Sequence, residues 1–257
     1  MKNLVELKEE LVLFDDDAIF PKTRYQGSKL KILDWIWGHI KDLEFESAID
    51  AFGGTGSIAY MLKSKGKKVT YNDLLKFNWH IGHALIENSD VKLSPKDVDF
   101  ILTRHKNIEY PTFIFDNFRD VYFDDNENKW LDIVTTNINI IKNPCKKSLA
   151  FFALFQACII KRPFNLFHRK NLYIRFSDVE RNFGNKTTWD TPFEVHFTKF
   201  VGQANQSVFS NSKDNKALNL DIFDLPQNYD LVYIDTPYIN KKGVGVDYHG
   251  FYHFLKV

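Results

Sequence analysis

The fold is decided by residues 50–57, which read Asp50-Ala51-Phe52-Gly53-Gly54-Thr55-Gly56-Ser57. They follow a short apolar segment, residues 47–50, that has the character of a strand, and they lead into a helical pattern from Ile58 to Lys65. Glycines at such a turn permit a tight strand-to-helix connection and let the backbone approach a ligand closely. Gly54 to Ala59 also matches the dinucleotide pattern G-x-G-x-x-G/A, which alone indicates only a nucleotide-like ligand at the start of a helix.

Four short segments have the composition of strands in a parallel sheet, and each ends in an aspartate or lies just before one. The segments are 47–50, 68–71, 217–220 and 231–234, and the aspartates are Asp50, Asp73, Asp221 and Asp235. Short apolar strands that alternate with helices predict a doubly wound α/β sheet. Because such sheets bind ligands beyond the carboxyl ends of their strands, we expect the four aspartates to line one crevice. Each aspartate alone has a simpler explanation as a turn or capping residue.

The 257-residue chain holds a long insertion within this pattern. Residues 74–216 are far more than one crossover helix needs, so we predict an α/β domain from residues 1–73 and 217–257 and a mostly helical inserted domain from residues 74–216. The clearest helix of the insertion runs from Ser148 to Arg162, since Asn143-Pro144 lies shortly before it and Pro163 ends it.

Charge is unevenly distributed along the chain. The 34 Lys and Arg nearly balance the 33 Asp and Glu, but residues 142–181 hold nine basic and two acidic residues, a difference of +7. Aromatic side chains are interleaved with these charges, and this combination predicts a surface that binds a polyanion. The alternative is a lysine-rich surface exposed to solvent, with the aromatic residues in the core.

The rest of the composition excludes several classes of protein. Cys145 and Cys158 cannot form a disulfide framework, and no C-x-x-C pair suggests a structural zinc site. Residues 1–17 are acidic and lack a secretory apolar run, and the longest apolar stretch, residues 148–160, is too short to span a bilayer. We therefore expect a cytoplasmic protein without a metal site.

Two acidic positions indicate the chemistry. A carboxylate at Asp73 can accept hydrogen bonds from the ribose hydroxyls of an adenosine, which suits NAD and S-adenosylmethionine equally. The stretch Asp235-Thr236-Pro237-Tyr238 favours the second ligand. The Asp235 carboxylate and the Thr236 carbonyl can hold an exocyclic amino group of a base, whose delocalised lone pair makes it a poor nucleophile. Pro237 stiffens the turn, and Tyr238 can stack on the base.

Taken together, these segments resemble the adenine-specific DNA methyltransferases related to the Dam enzyme, with the class alpha order of motifs. Residues 24–29 (Arg-Tyr-Gln-Gly-Ser-Lys) resemble the family's N-terminal motif, residues 52–56 its F-x-G-x-G motif, and residues 235–238 its D-P-P-Y motif. Residues 150–169 resemble more loosely the helix and hairpin with which the family reads DNA. Tyr248-His249 is similar to a Tyr-His pair that follows the catalytic motif.

The resemblance implies a Rossmann-like methyltransferase sheet with an inserted DNA-recognition domain. It implies S-adenosylmethionine-dependent methylation of the 6-amino group of adenine in a specific duplex sequence, by base flipping. The implied catalytic residues are Asp235, Thr236, Pro237 and Tyr238. The implied cofactor-binding residues are Tyr25, Lys29, Asp50, Phe52, Gly54, Gly56, Asp73, Asp221 and Ile222. The implied DNA-binding residues are Phe164, Asn165, Phe167, Arg169 and Lys170.

Two features depart from the family pattern. Thr236 replaces the first proline of the catalytic motif, but the backbone carbonyl needed there is retained. The chain also ends at Val257, whereas the family fold continues with further helices and strands. We therefore expect a C-terminally truncated chain or one part of a split enzyme, with double-stranded DNA, a cognate restriction endonuclease or a complementing polypeptide as partners.

Other functions stay open from the sequence. Two variants of the same chemistry stay open, with the amino group of cytosine or an RNA base as the methyl acceptor. An NAD-dependent oxidoreductase explains the glycine-rich stretch but leaves residues 25–29 and 235–238 unexplained. A non-catalytic DNA-binding fragment, or the specificity partner of a split methyltransferase, is the non-enzymatic alternative, and DNA binding without cofactor binding would identify it.

Overall fold

The structure is a computed structural model that describes residues 11–13, 19–21, 25, 27–167, 169–177, 186–238 and 245–256. Of the predicted motifs, Arg24, Gln26 and His168 lie outside the described residues. The chain divides into two compact units. Unit 1 consists of Met1–Lys92 and Gly202–Val246, and unit 2 consists of Leu93–Val201 and Asp247–Val257.

Unit 1 contains a four-stranded parallel sheet and a short antiparallel pair. The strands are β1 (Leu11–Leu13), β2 (Ile19–Pro21), β3 (Ser47–Asp50), β4 (Lys68–Asn72), β5 (Lys216–Leu218) and β6 (Leu231–Tyr233). The antiparallel pair is β1 with β2, and the parallel sheet has the order β5-β4-β3-β6. Ile49 of β3 pairs with Thr70 on one side and Val232 on the other. All four predicted strands are therefore present, and the predicted α/β class with a parallel sheet is confirmed.

Burial along the strands follows their positions in the sheet. The central strands β3 and β4 are buried apart from their first residues, as expected for short apolar runs in a parallel sheet. The edge strand β6 leaves Val232 exposed.

In the described residues of unit 1, three α-helices flank β3 and β4 along the chain. They are α1 (Leu33–Ile40), α2 (Ser57–Ser64) and α3 (Lys76–Gly82), and α3 continues into a π-helix at His83–Glu87. Short 3₁₀ helices lie at Leu30–Ile32 and Ile222–Asp224. The predicted helix from Ile58 to Lys65 is thus confirmed within one residue at each end.

The side chain of one buried tyrosine leaves room only for glycine at two positions of unit 1. The ring of Tyr71, on β4, lies between Gly53 and Gly82, and a Cβ atom added to either glycine would come within 2.0 and 2.2 Å of that ring, respectively. Only residues without a side chain fit at these two positions. The packing of Tyr71 therefore sets the approach of the glycine-rich loop to β4.

All the secondary-structure elements in the described residues of unit 2 are helices. Its helices are α4 (Pro95–Leu102), α5 (Phe113–Asn117), α6 (Asp125–Ile140), α7 (Pro144–Ile160), α8 (Leu172–Phe176), α9 (Lys186–Asp190), α10 (Phe193–Ser207), which continues into unit 1, and α11 (Tyr248–Tyr252). Further 3₁₀ helices lie at Pro163–Asn165 and His253–Lys256.

The longest helix, α7, forms the core of unit 2. The Asn143 side chain caps it by accepting a hydrogen bond from the Lys146 backbone N–H at 3.0 Å, and Pro144 occupies its first turn. Every residue from Ser148 to Ile160 is buried, which confirms the predicted buried helix. Neither α7 nor any other helix in the described part of the chain is long and apolar enough to cross a membrane.

Candidate active site

The glycine-rich loop connects β3 to α2 and is tied to β4. Gly54 and Gly56 have positive φ angles of 50° and 77°, which side-chain-bearing residues rarely adopt, and Gly56 is the N-cap of α2. The Gly53 N–H donates to the Asn72 carbonyl at 2.8 Å, and the Tyr71 hydroxyl donates to the Gly54 carbonyl at 2.8 Å. The loop is therefore a fixed turn at the carboxyl end of the sheet.

Asp73 organises this loop from the end of β4. Its carboxylate accepts hydrogen bonds from the Gly54 N–H at 2.9 Å, the Leu75 N–H at 2.8 Å and the Asn78 side-chain amide at 3.1 Å. Burial raises the pKa of Asp73 to about 6, although the three hydrogen bonds act in the opposite direction. A carboxylate has about four acceptor positions, so roughly one remains for a ligand.

Asn78, in α3, links Asp73 to the N-terminal motif. Its amide N–H₂ also donates to the Tyr25 hydroxyl at 3.2 Å, and its Oδ1 is buried without a hydrogen-bond partner among the described residues. The Tyr25 ring approaches to 3.5 Å of the position that a Cβ atom of Gly54 would occupy. The structure therefore brings together Tyr25, the glycine-rich loop and Asp73.

Asp50 is the buried acid of the site. It is 1% exposed, and within the described residues its Oδ2 has no hydrogen-bond partner. Burial raises the pKa of Asp50 to about 7, and the negative charges of Asp73 and Asp235 act in the same direction. Unpartnered acceptors on Asp50 and Asn78 indicate that the site suits a ligand rich in hydrogen-bond donors.

Asp235 lies two residues after β6 and forms an ion pair with Lys29. The Lys29 ammonium donates hydrogen bonds to Asp235 Oδ2, to the Tyr238 hydroxyl at 2.6 Å and to the Gly27 carbonyl at 3.2 Å. Burial lowers the pKa of Lys29, but Asp235 and Tyr238 outweigh it and leave the pKa above its ordinary value. Lys29 is therefore a cation held against the predicted catalytic motif.

The remaining residues of this motif are open to solvent. Thr236 and Pro237 are exposed, and none of the described residues donates a hydrogen bond to the Thr236 carbonyl. Tyr238 is 48% exposed, and its ring centroid is 5.1 Å from the Lys29 ammonium. An accessible carboxylate, carbonyl and aromatic face thus lie within four consecutive residues, as the capture of an amino-bearing base requires.

The sequence matches a family model described as D12 class N6 adenine-specific DNA methyltransferase over residues 25–255. The chain belongs to this family. It is 33% identical over 243 residues to the type II methyltransferase M2.HphI of Haemophilus parahaemolyticus, covering 92% of this chain and 70% of that protein. It is 28% identical over 244 residues to the modification methylase StsI of Streptococcus sanguinis, covering 88% of this chain and 35% of that protein. The chain is thus an S-adenosylmethionine-dependent adenine DNA methyltransferase.

Three further cofactor residues predicted for this D12 methyltransferase lie at the surface of unit 1. Asp221 is exposed and caps the 3₁₀ helix by accepting from the Phe223 N–H at 3.1 Å, while Ile222 and Phe52 are partly exposed. The chain just before Asp221 is fixed by Asn72, whose side-chain amide donates to the carbonyls of Ala51 and Leu220. The ends of β3, β4 and β5 are therefore tied together by one side chain.

The DNA-binding residues predicted for the methyltransferase lie in unit 2 and differ in exposure. Phe164 is 56% exposed, and Asn165, Arg169 and Lys170 are also exposed. Phe167 is fully buried, so this side chain does not reach the surface. The predicted hairpin is a 3₁₀ turn followed by a loop, and residues 150–160 of α7 are buried rather than presented to a ligand.

Part of the basic segment is also internal. Lys161, Arg162 and Arg175 are buried. Glu127 accepts two hydrogen bonds from Arg175, at 2.6 and 2.7 Å, and forms a 2.9 Å ion pair with Lys161. Burial raises the pKa of Glu127, but these two cations outweigh it and hold the pKa below its usual range. The positive charge that faces solvent is therefore smaller than the sequence count predicted.

Proposed function

We propose that unit 1 of this methyltransferase binds S-adenosylmethionine at the glycine-rich loop and transfers the methyl group at Asp235. The observation that carries this proposal is the pairing of Asp235 with Lys29 and Tyr238 at the end of β6, the strand adjacent to β3. We further propose that unit 1 is the doubly wound Rossmann-like domain and that unit 2 corresponds to the inserted target-recognition domain.

The chemistry of the loop fits this cofactor. S-adenosylmethionine is cationic at its sulfonium and ammonium groups, and the site offers Asp50, Asp73 and Asp235 against one neighbouring cation, Lys29. Asn78 Oδ1 and Asp50 Oδ2 are buried hydrogen-bond acceptors to which none of the described residues donates. We assign the remaining acceptor position of Asp73 to one ribose hydroxyl and the unpartnered oxygen of Asp50 to a further polar hydrogen of the ligand.

Catalysis depends on how Asp235 and Thr236 hold the target amino group. The bound cofactor supplies an activated methyl group on its sulfonium. Asp235 Oδ2 and the Thr236 carbonyl accept hydrogen bonds from the two amino hydrogens, which fixes the nitrogen and favours its tetrahedral form. Asp235 is then placed to take the proton that the nitrogen releases. Lys29 donates to the same oxygen, which has a second acceptor position for the amino hydrogen.

Access to that amino group requires the adenine to leave the duplex. Flipping costs a few kcal/mol, and stacking on the exposed ring of Tyr238 offsets part of this cost. In unit 2, we propose that Phe164 fills the gap in the duplex and that Asn165, Arg169 and Lys170 contact DNA.

The test compares Asp235→Ala with Asp230→Asn. Asp230 precedes the same strand, where it accepts hydrogen bonds from the Glu46 and Ser47 N–H groups, so its replacement controls for the loss of a carboxylate at β6. We expect Asp235→Ala to abolish methyl transfer and to leave the calorimetric affinity for S-adenosylmethionine within about twofold. We expect Asp230→Asn to retain both methyl transfer and the affinity for S-adenosylmethionine. Loss of cofactor binding in Asp235→Ala would refute the assigned role.

A role in restriction-modification is the biological setting that we propose. Both relatives carry names of modification enzymes, a type II methyltransferase and a modification methylase. Methylation by this chain would then protect sites from a companion endonuclease. Digestion of DNA treated with the chain, with unmethylated DNA as the control, tests whether a candidate endonuclease is blocked.

A further inference from the structure

The segment after α7 projects two residues in an unusual backbone conformation. Phe164 and Asn165 have φ angles of 63° and 57°, and both side chains are exposed. Consecutive left-handed residues other than glycine are uncommon, and such conformations persist only where the surrounding structure enforces them. We call residues 163–169, of which His168 lies outside the described residues, the recognition loop.

Arg162 ties the recognition loop to the body of unit 2. It is 1% exposed, and its guanidinium donates to three backbone carbonyls. Two of these belong to the recognition loop, Leu166 at 3.3 Å and Arg169 at 2.8 Å. The third is Tyr122, at 3.2 Å, in the body of unit 2. The planar fork therefore joins both ends of the exposed tip to the core.

The aromatic core beneath the loop completes this anchor. The Arg162 guanidinium lies 4.6 Å from the ring centroid of Tyr122 and 5.6 Å from that of Phe167. The Tyr122 hydroxyl donates to the Phe167 carbonyl at 2.7 Å, and the Phe167 N–H donates to the Phe251 carbonyl at 2.9 Å. Within the described residues of the loop, Phe164, Asn165 and Arg169 face solvent.

The bonding of Arg162 differs from that of Arg175, which is also buried in unit 2. Arg175 forms a bidentate ion pair with Glu127, whereas Arg162 has no carboxylate partner among the described residues. All its hydrogen bonds go to backbone carbonyls, so its contribution is the geometry of the recognition loop rather than charge pairing. A lysine cannot reproduce a planar fork that reaches three acceptors.

We propose that Arg162 is a positioning residue for DNA recognition, because its fork holds Phe164 and Asn165 in the orientation that engages the duplex. This inference rests on the proposed contact of the recognition loop with DNA. Arg162 itself stays buried and touches neither DNA nor cofactor.

A double-mutant cycle tests the proposal. Methyl transfer from tritiated S-adenosylmethionine to unmethylated bacteriophage DNA is measured for wild type, Arg162→Lys, Phe164→Ala and the double variant. We expect each single change to raise the KM for DNA about tenfold, as the loss of one strong contact would. In the Arg162→Lys background, Phe164→Ala should add less than about twofold, because the tip is already displaced. The affinity for S-adenosylmethionine should not change.

Two matched variants separate positioning from general stability. Arg175→Lys disturbs a buried arginine of the same unit without a bond to the recognition loop, so it should lower the unfolding temperature without raising the KM for DNA. Tyr122→Phe removes the hydroxyl bonds to Phe167 and His253 and provides a milder release of the loop if Arg162→Lys does not fold. It should show the same coupling to Phe164→Ala.

The outcomes distinguish failure of the proposed DNA contact from failure of the positioning role of Arg162. An unchanged KM in Phe164→Ala would overturn the DNA contact and, with it, the positioning role. A raised KM in Phe164→Ala with multiplicative effects in the double variant would overturn the positioning role alone. A rise in KM with Arg175→Lys as large as that with Arg162→Lys would also overturn the proposal.

Discussion

Replacing Asp50 by Asn tests the electrostatics beneath the glycine-rich loop. Asp50 is 1% exposed, and burial raises its pKa from 3.8 to about 7. Asn has nearly the same shape but cannot ionise. The Asp50→Asn variant therefore isolates the free energy of placing a negative charge at this position.

The magnitude follows from the difference between the two pKa values. Because the folded-state pKa lies above the unfolded-state value, the stabilising contribution of Asp50 is complete below pH 3.8 and is lost as the pH rises to about 7. Each pKa unit corresponds to about 1.4 kcal/mol, so ionising Asp50 in the folded protein costs about 4 kcal/mol in all. About 2 to 3 kcal/mol of this develops between roughly pH 5 and pH 8.

The assay is urea unfolding of both proteins across that pH range, followed by circular dichroism. The free energy of unfolding of Asp50→Asn minus that of wild type should grow by about 2 to 3 kcal/mol from about pH 5 to pH 8. Asp230→Asn, at an exposed carboxylate before β6, should show no such growth. A difference that stays constant with pH would refute the reasoning, since Asp50 would then ionise equally in both states.

Three further changes test the packing of unit 1 by urea unfolding. Burial lowers the pKa of Lys63 to about 7. The free energy of unfolding of Lys63→Met should therefore exceed that of wild type most below pH 7, and this difference should shrink toward pH 10. A difference that does not change with pH would contradict this expectation. Gly82→Ala should lower the free energy of unfolding by about 1 to 3 kcal/mol, because the new methyl group collides with the Tyr71 ring. An unchanged urea midpoint would show that the ring moves to make room. Tyr60→Phe should lower the free energy of unfolding by about 1 to 3 kcal/mol, because the carbonyls of Ile19 and Ser207 lose the hydroxyl that donates to them. An unchanged free energy of unfolding would mean that water replaces the hydroxyl.

The parallel sheet was predictable because its determinants are local. Each strand is a short apolar run, and buried parallel strands require such runs on both faces. The turn at Gly54 and Gly56 was predictable for the same reason, since only glycine readily adopts their φ angles. The family was predictable because it depends on the order of such local motifs, and the family match over residues 25–255 confirms it.

The contacts within the site were not predictable, because they join distant parts of the chain. Lys29 and Asp235 are separated by 206 residues, and no spacing rule links a lysine near the N-terminus to the predicted catalytic motif. Sequence reasoning also missed Asn72 and Asn78. Their side chains are ordinary amides in the sequence, and only the folded structure shows that they join the ends of three strands and the N-terminal motif.

The recognition loop shows a second limit of sequence reasoning. A count of basic residues does not distinguish Arg162 and Arg175, which are buried, from Arg169, which is exposed. Nor does aromatic content distinguish Phe167 in the core from Phe164 at the surface. Tertiary packing decides these assignments, so the domain boundaries and DNA contacts inferred from the sequence stay predictions.

The central claim is tested most directly by identifying the methylated atom. The purified chain is incubated with unmethylated duplex DNA and S-adenosylmethionine that carries a trideuterated methyl group, and the digested nucleosides are analysed by mass spectrometry. We expect labelled N6-methyldeoxyadenosine from the wild type and none from Asp235→Ala. Label on cytosine, or equal label in both proteins, would contradict the proposed function.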